Sequence, residues 1–128
     1  MILWLASYPK SGNTLLRSLL SSYFYTKDGI FDFELLKNIQ YFPSHTFYKN
    51  SKIDTTNDYE VIKNYINIQQ KFIENKKKIL FLKAHSSCFR ANNHSFTNLQ
   101  NSLGDIYVFR DPCNVVVSYA MSCRRDIE

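Results

Sequence analysis

The chain has no C-x-x-C pair, no Walker A spacing, no internal repeat and no continuous basic stripe. Each absence removes a class of protein. Its three cysteines, Cys88, Cys113 and Cys123, are odd in number and show no paired spacing. That argues against a disulfide framework or a zinc site and fits a reducing, cytoplasmic setting. No stretch approaches the roughly 20 apolar residues of a membrane span. The apolar start, Ile2 to Ala6, is too short for a signal sequence, lacks a basic flank and runs straight into Pro9-Lys10. The formal charge of +5 favours anionic partners, but Lys and Arg are dispersed. The one run, Lys76-Lys77-Lys78, reads as a solvated helix end and not as a nucleic-acid patch.

What is present suits one domain. The 128 residues, 45% of them apolar, can bury a modest core. The chain is organised around LWLASYPKSGNTLLRSLL, residues 3–20. A short apolar run is followed by a polar turn, and then Leu15, Leu16, Leu19 and Leu20 recur at helical spacing. This predicts a buried strand over 2–6, a tight loop, and a helix over 12–25. Gly12 lets the backbone approach a ligand without a Cβ in the way. Ser11, Gly12, Asn13 and Thr14 would present N–H groups at a helix N-terminus, where the dipole favours anions. Lys10 adds a mobile positive charge. The plainer alternative is a strand–helix turn capped by Ser11 or Asn13. The loop is not a Walker A motif, because here the lysine precedes the loop's one glycine.

Further along, residues 31–39 predict a short helix, and 40–56, with Pro43, an irregular connection of the kind that often carries substrate contacts. A helix is expected from Thr56-Asn57 through the apolar positions Val61 to Ile73. A strand is expected over 79–83, a polar loop over 84–95, a short helix over 96–103 stopped by Gly104, and a strand over 106–109. Asp111-Pro112 then opens a last helix, with Val115, Val116, Tyr119, Ala120 and Cys123 on its apolar side. Alternating strands and helices with continuously apolar strands imply an α/β fold, three layers around a parallel sheet. Right-handed crossovers bring the C-terminal ends of the strands to one edge, where such sheets bind ligands.

Each strand end delivers a cation to that edge. The first ends at the Lys10 loop, the second at Lys83-Ala84-His85, the third at Arg110-Asp111, with Ser118 two helical turns on. A polyanionic ligand would explain all three. Singly, each residue has a bland reading: Lys83 as a strand end, His85 as a loop histidine, Arg110-Asp111 as an ion pair, Ser118 as a helix serine bonded to a carbonyl. His45, His94, Trp4 and the cysteines read as structural or incidental.

Together these segments resemble the sulfotransferase family, whose donor is 3′-phosphoadenosine 5′-phosphosulfate (PAPS). YPKSGNT (8–14) is similar to its 5′-phosphosulfate loop, KAH (83–85) to its K-x-H segment, and FRDPCNVVVSY (109–119) to its 3′-phosphate motif. The resemblance implies a P-loop-NTPase-like sulfotransferase fold and a role for each matched residue. Lys10 and Lys83 would serve the transferring group, and His85 would be the base. Lys10, Ser11, Gly12, Asn13 and Thr14 would hold the 5′-phosphate, and Arg110 and Ser118 the 3′-phosphate. No metal is required by this arrangement. The acceptor would be a small molecule, carbohydrate or lipid, with no nucleic acid and no membrane span involved. Leu15 stands where many members carry a tryptophan, and Ser86-Ser87 where one branch carries Leu-Pro. Family domains run to about twice this length, so residues 1–128 are expected to form a single, partial domain. A sheet left unfinished on one side would self-associate. The competing readings are an inactive fragment that binds the nucleotide only, a P-loop-like nucleoside kinase, and a basic nucleic-acid module.

Overall fold

The computed structural model describes residues 1–76, 78–86 and 90–124. The middle of the 76–78 basic run, the second half of Ser86-Ser87, and Cys88 lie outside the described residues. β1 is Ile2–Ser7, and α1 is Asn13–Tyr25. A 3₁₀ turn at Phe33–Asn38 leads to β2, Gln40–Tyr41, and a second 3₁₀ turn at His45–Phe47 follows. Two helices come next, α2 (Asp58–Lys63) and α3 (Tyr65–Lys76), then β3 (Leu80–Ala84). A small hairpin, β4 (Arg90–Ala91) and β5 (His94–Ser95), precedes β6 (Ser102–Val108) and α4 (Pro112–Arg124). β2, β3, β1 and β6 form one parallel sheet in that order. This is the expected α/β architecture.

Alternation along β1 and β3 divides the molecule into two sides. Trp4 lies beside Leu82, and Ala6 beside Ala84. Ile2, Trp4, Leu80, Leu82 and Ala84 are buried with Tyr65 and Ile68 of α3, and with Phe42, Tyr48 and Phe96. The Trp4 ring sits 5.0 Å from that of Phe96 and 5.8 Å from that of Phe42. Its Nε1–H donates to Ser102 Oγ at 2.8 Å, so the polar end of the indole is satisfied inside the core. On the other side lies α1, whose Phe24 ring meets Phe81 of β3 at 5.1 Å.

The departures from expectation have identifiable causes. Residues 96–103 form no helix. β6 starts at Ser102, with Gly104 inside it and opposite Leu3. Pairing with β1 outweighs the local pattern there, and Ser102 Oγ is held by both Trp4 and Thr97. The helix after residue 57 breaks at Asn64, whose side chain donates to the Glu60 carbonyl. The connection 40–56 contributes β2 to the sheet edge, while the polar loop 84–95 folds back through Asn92 and Asn93, both at positive φ. Finally, the inward face of α1 is polar. Asn13 and Ser21 are its buried residues and Arg17 is half-buried between them, whereas Leu15 and Leu19 are exposed.

The layers close over β1 and β3 and stay open over β6. Leu103, Ile106 and Tyr107 of that edge strand are exposed, as are Val116, Val117, Tyr119 and Met121 of α4, where only Val115 is buried among the described side chains. Among the described residues no helix is long and apolar enough to cross a membrane.

The aromatic core sets an expected ranking in urea unfolding. Phe42→Ala should cost about 3–5 kcal/mol, through the cavity it leaves. Trp4→Phe should cost only about 1–2 kcal/mol, because Ser102 keeps Thr97 as a partner. Equal small losses would contradict a core centred on these rings.

Candidate functional site

The C-terminal ends of the four strands line one edge in the order Tyr41, Lys83-Ala84-His85, the loop 8–12, and Phe109-Arg110. The loop after β1 is shaped by two left-handed residues, Lys10 at φ 67° and Gly12 at φ 103°. A Cβ at Gly12 would meet only ordinary contact, 3.9 Å from Val108, so the backbone angle and not space is what asks for glycine there. Gly12 is the N-cap of α1, and no side chain caps that end. The first N–H groups of the helix lack intrahelical partners, as at any helix start, and the first turn carries no acidic residue.

Asn13 fastens this loop to the sheet. Its Nδ2 donates to the Leu5 carbonyl at 2.9 Å and to Ser7 Oγ at 3.1 Å. The amide nitrogen of the side chain is therefore committed to the fold. Ser11 is buried, with its N–H on the Tyr8 carbonyl at 3.3 Å, while Thr14 is exposed. Lys10 crosses the edge and donates through Nζ to Ser122 Oγ of α4 at 2.7 Å. Ser118, half-buried, lies one turn earlier on the same helix. Arg110 is exposed just ahead of α4, and Asp111 caps that helix through Asn114. Among the described residues ion pairs form only between Glu34 and Lys37 and between Glu60 and Lys63. The ion-pair reading of Arg110-Asp111 therefore fails.

His85 leans back on β1. Its Nδ1 lies 2.8 Å from the Ser7 carbonyl oxygen. A carbonyl can only accept, so Nδ1 carries the proton and Nε2 holds the lone pair. Partial burial pushes the imidazole pKa below its ordinary value. The hydrogen bond to Ser7 opposes that shift, and the Lys83 ammonium adds to it. Lys83 lies above the Tyr41 ring, with Nζ 5.5 Å from its centre. Its own pKa is lowered, first by burial and then by the charges of Arg17 and Lys10. The structure thus brings Lys10, Lys83 and His85 to one place, with Arg110 and Ser118 on the β6–α4 side of it.

Two participants escape a reading by motif. Arg17 donates through Nη2 to the Leu36 carbonyl at 2.8 Å and sits within electrostatic reach of Lys83. Tyr41 packs its ring against both Lys83 and His85. The signal for Arg17 is visible in the chain: Asn13, Arg17 and Ser21 recur at four-residue steps among leucines, a polar stripe on one helix face.

The model of the family described as sulfotransferase domain matches residues 2–125. The chain belongs to the sulfotransferase domain family. Comparison with curated proteins finds no match, and comparison with solved structures finds none. In this sulfotransferase domain a cavity of about 700 Å³ is also present, with Trp4, Ala6, His85, Phe96 and Tyr107 among its lining residues.

A depressed pKa keeps the imidazole neutral at a pH where free histidine is already protonated. NMR titration of the His85 ring protons should therefore give a midpoint below the ordinary 6.5, and a midpoint at or above it would contradict the burial and charge described.

Proposed function

We propose that this chain binds PAPS and moves its sulfuryl group to an acceptor hydroxyl or amine. The observation that carries the reading is the edge itself: Lys10 and Lys83 stand within mutual electrostatic reach beside a histidine whose Nε2 is available as a base, with no carboxylate paired to either lysine among the described residues. Like charges so placed are stabilised by a bound polyanion.

In this reading the N–H groups at the start of α1 hold the 5′-phosphate, with Gly12, Asn13 and Thr14 supplying backbone N–H groups and the Ser11 and Thr14 hydroxyls beside it. The left-handed Gly12 and the uncapped helix end support that role. Arg110 and Ser118 take the 3′-phosphate. Leu15, exposed on the first turn of α1, offers adenine an apolar wall without an aromatic ring. His85 Nε2 accepts the acceptor's proton as the acceptor oxygen or nitrogen bonds to sulfur. The bond from sulfur to the bridging oxygen breaks, and its electron pair stays on the phosphate. Lys10 gives up Ser122 to meet that growing charge, so its contact strengthens in the transition state. Lys83 steadies the sulfuryl oxygens.

The open β6 edge supports a second element of the reading, self-association of the chain. Its unpaired backbone and exposed Leu103, Ile106 and Tyr107 are features that favour edge pairing.

Calorimetric titration with adenosine 3′,5′-bisphosphate against AMP tests the donor. A clear preference for the bisphosphate is expected, and Arg110→Ala should erase it. With any acceptor that turns over, Lys10→Ala should cut transfer by about a hundredfold while changing donor binding far less. No bisphosphate preference in a folded sample, or equal small effects of the two substitutions, would overturn the reading.

A further inference from the structure

Strand order gives the site a direction. A donor that reaches from Arg110 past the Lys10 loop presents its transferable group at β3, and the next strand beyond is β2. The acceptor then enters from the β2 side, next to Tyr41, whose ring lies 5.8 Å from that of His85. A second cavity, of about 350 Å³, opens there, lined by Arg17, Lys37, Gln40, Tyr41, Ser44 and Thr46. Its polar groups are mostly donors or hydroxyls, and no carboxylate lines it. Lys37 is paired with Glu34. Arg17 is not in an ion pair among the described residues, and its buried Nε has no hydrogen-bond partner. Among the described residues one of its N–H groups is used on protein, at the Leu36 carbonyl.

Arg17 is therefore a half-buried cation beside Lys83, its charge uncompensated by any carboxylate among the described residues. The donor accounts for Lys10 and Lys83 but leaves Arg17 without a role. A guanidinium presents a fork that matches carboxylate, sulfate or phosphate, and burying one without an anion is costly. The larger cavity cannot serve that anion as well. Among the described residues none of Lys10, Arg17 and Lys83 lines it, and Arg90, which does, shares the lining with Asp105.

We propose that the acceptor carries an anionic group of its own, a carboxylate, sulfate or phosphate, which the Arg17 cavity receives while the acceptor hydroxyl or amine faces His85. This rests on the sulfuryl-transfer reading of the same edge. It names the acceptor class as acidic and makes Arg17 a specificity residue, with Ser44 and Thr46 as further hydrogen-bonding groups.

The test is an NMR titration of the full chain with 4-hydroxyphenylacetate and, separately, with its neutral counterpart 2-(4-hydroxyphenyl)ethanol. The carboxylate should bind at least about tenfold more tightly, the worth of one charge-assisted hydrogen bond. It should shift the Ser44 and Thr46 amides and the Arg17 Nε–H signal. Arg17→Gln should bring the two compounds to the same affinity, while Arg17→Lys keeps part of the preference. Should Arg17→Gln fail to fold, Thr46→Val at an exposed position should still weaken the carboxylate alone. Equal affinities in the unaltered chain, a preference that survives Arg17→Gln, or shifts confined to residues 10–14 would overturn the proposal. Adenosine 3′,5′-bisphosphate is titrated in parallel. Unchanged affinity in Arg17→Gln supports the assignment, and a matching loss would move Arg17 to the donor and overturn it. If the unaltered chain ignores the bisphosphate yet binds the carboxylate through Arg17, the donor reading fails and the anion site stands.

Discussion

The arrangement of this protein depends on β1 being paired on both sides. Ile2–Ser7 is flanked by β3 through Leu80–Ala84 and by β6 through Ser102–Val108, all parallel. Parallel neighbours point their C-terminal ends the same way, so the three segments that leave those strands emerge at one edge. The Lys10 loop, the Lys83–His85 segment and Arg110 are close only for that reason. The pairing also explains the bonding around Ser7. Its carbonyl receives the His85 ring and its hydroxyl receives Asn13, so the strand end orients both the imidazole and the start of α1.

Electrostatics then shapes what the edge can hold. Most charged side chains of the molecule are exposed and solvated, where pairing contributes little. Lys83 and Arg17 are half-buried against a tyrosine ring and a backbone carbonyl, and they depress the ionisation of their surroundings. A fold tolerates such a concentration of positive charge at a cost to its own stability. The apolar surface left open over β6 and α4 has a separate origin. It reflects the absence of any described element packed against that strand's outer side.

Much of this was legible in the chain. The apolar runs at 2–6 and 79–83, the loop with Lys10 and Gly12, and the proline at the start of α4 mark elements whose periods and breakers are local. The candidate residues Lys10, Lys83, His85 and Arg110 sit at or just past strand ends, so topology alone predicts that they converge. The stretch 96–103 was misread because strand pairing is a long-range property. Ser102 and Gly104 look like the close of a helix until β1 is beside them. The polar face of α1 was hidden by its leucines, half of which turn to solvent.

The residue pattern by itself determined the class of fold, the three long strands and first and last helices, and the segments that could meet a phosphate, because strand and helix periods and a glycine-bearing loop are written locally. The tertiary structure alone decided which nitrogen of His85 keeps a proton, that Asn13 serves the sheet with its side chain, and that Arg17 and Tyr41 join the edge. Those outcomes depend on which carbonyl, ring or charge stands opposite a side chain across the fold. Residues 78 positions apart, as Ser7 and His85 are, meet only when the sheet has formed.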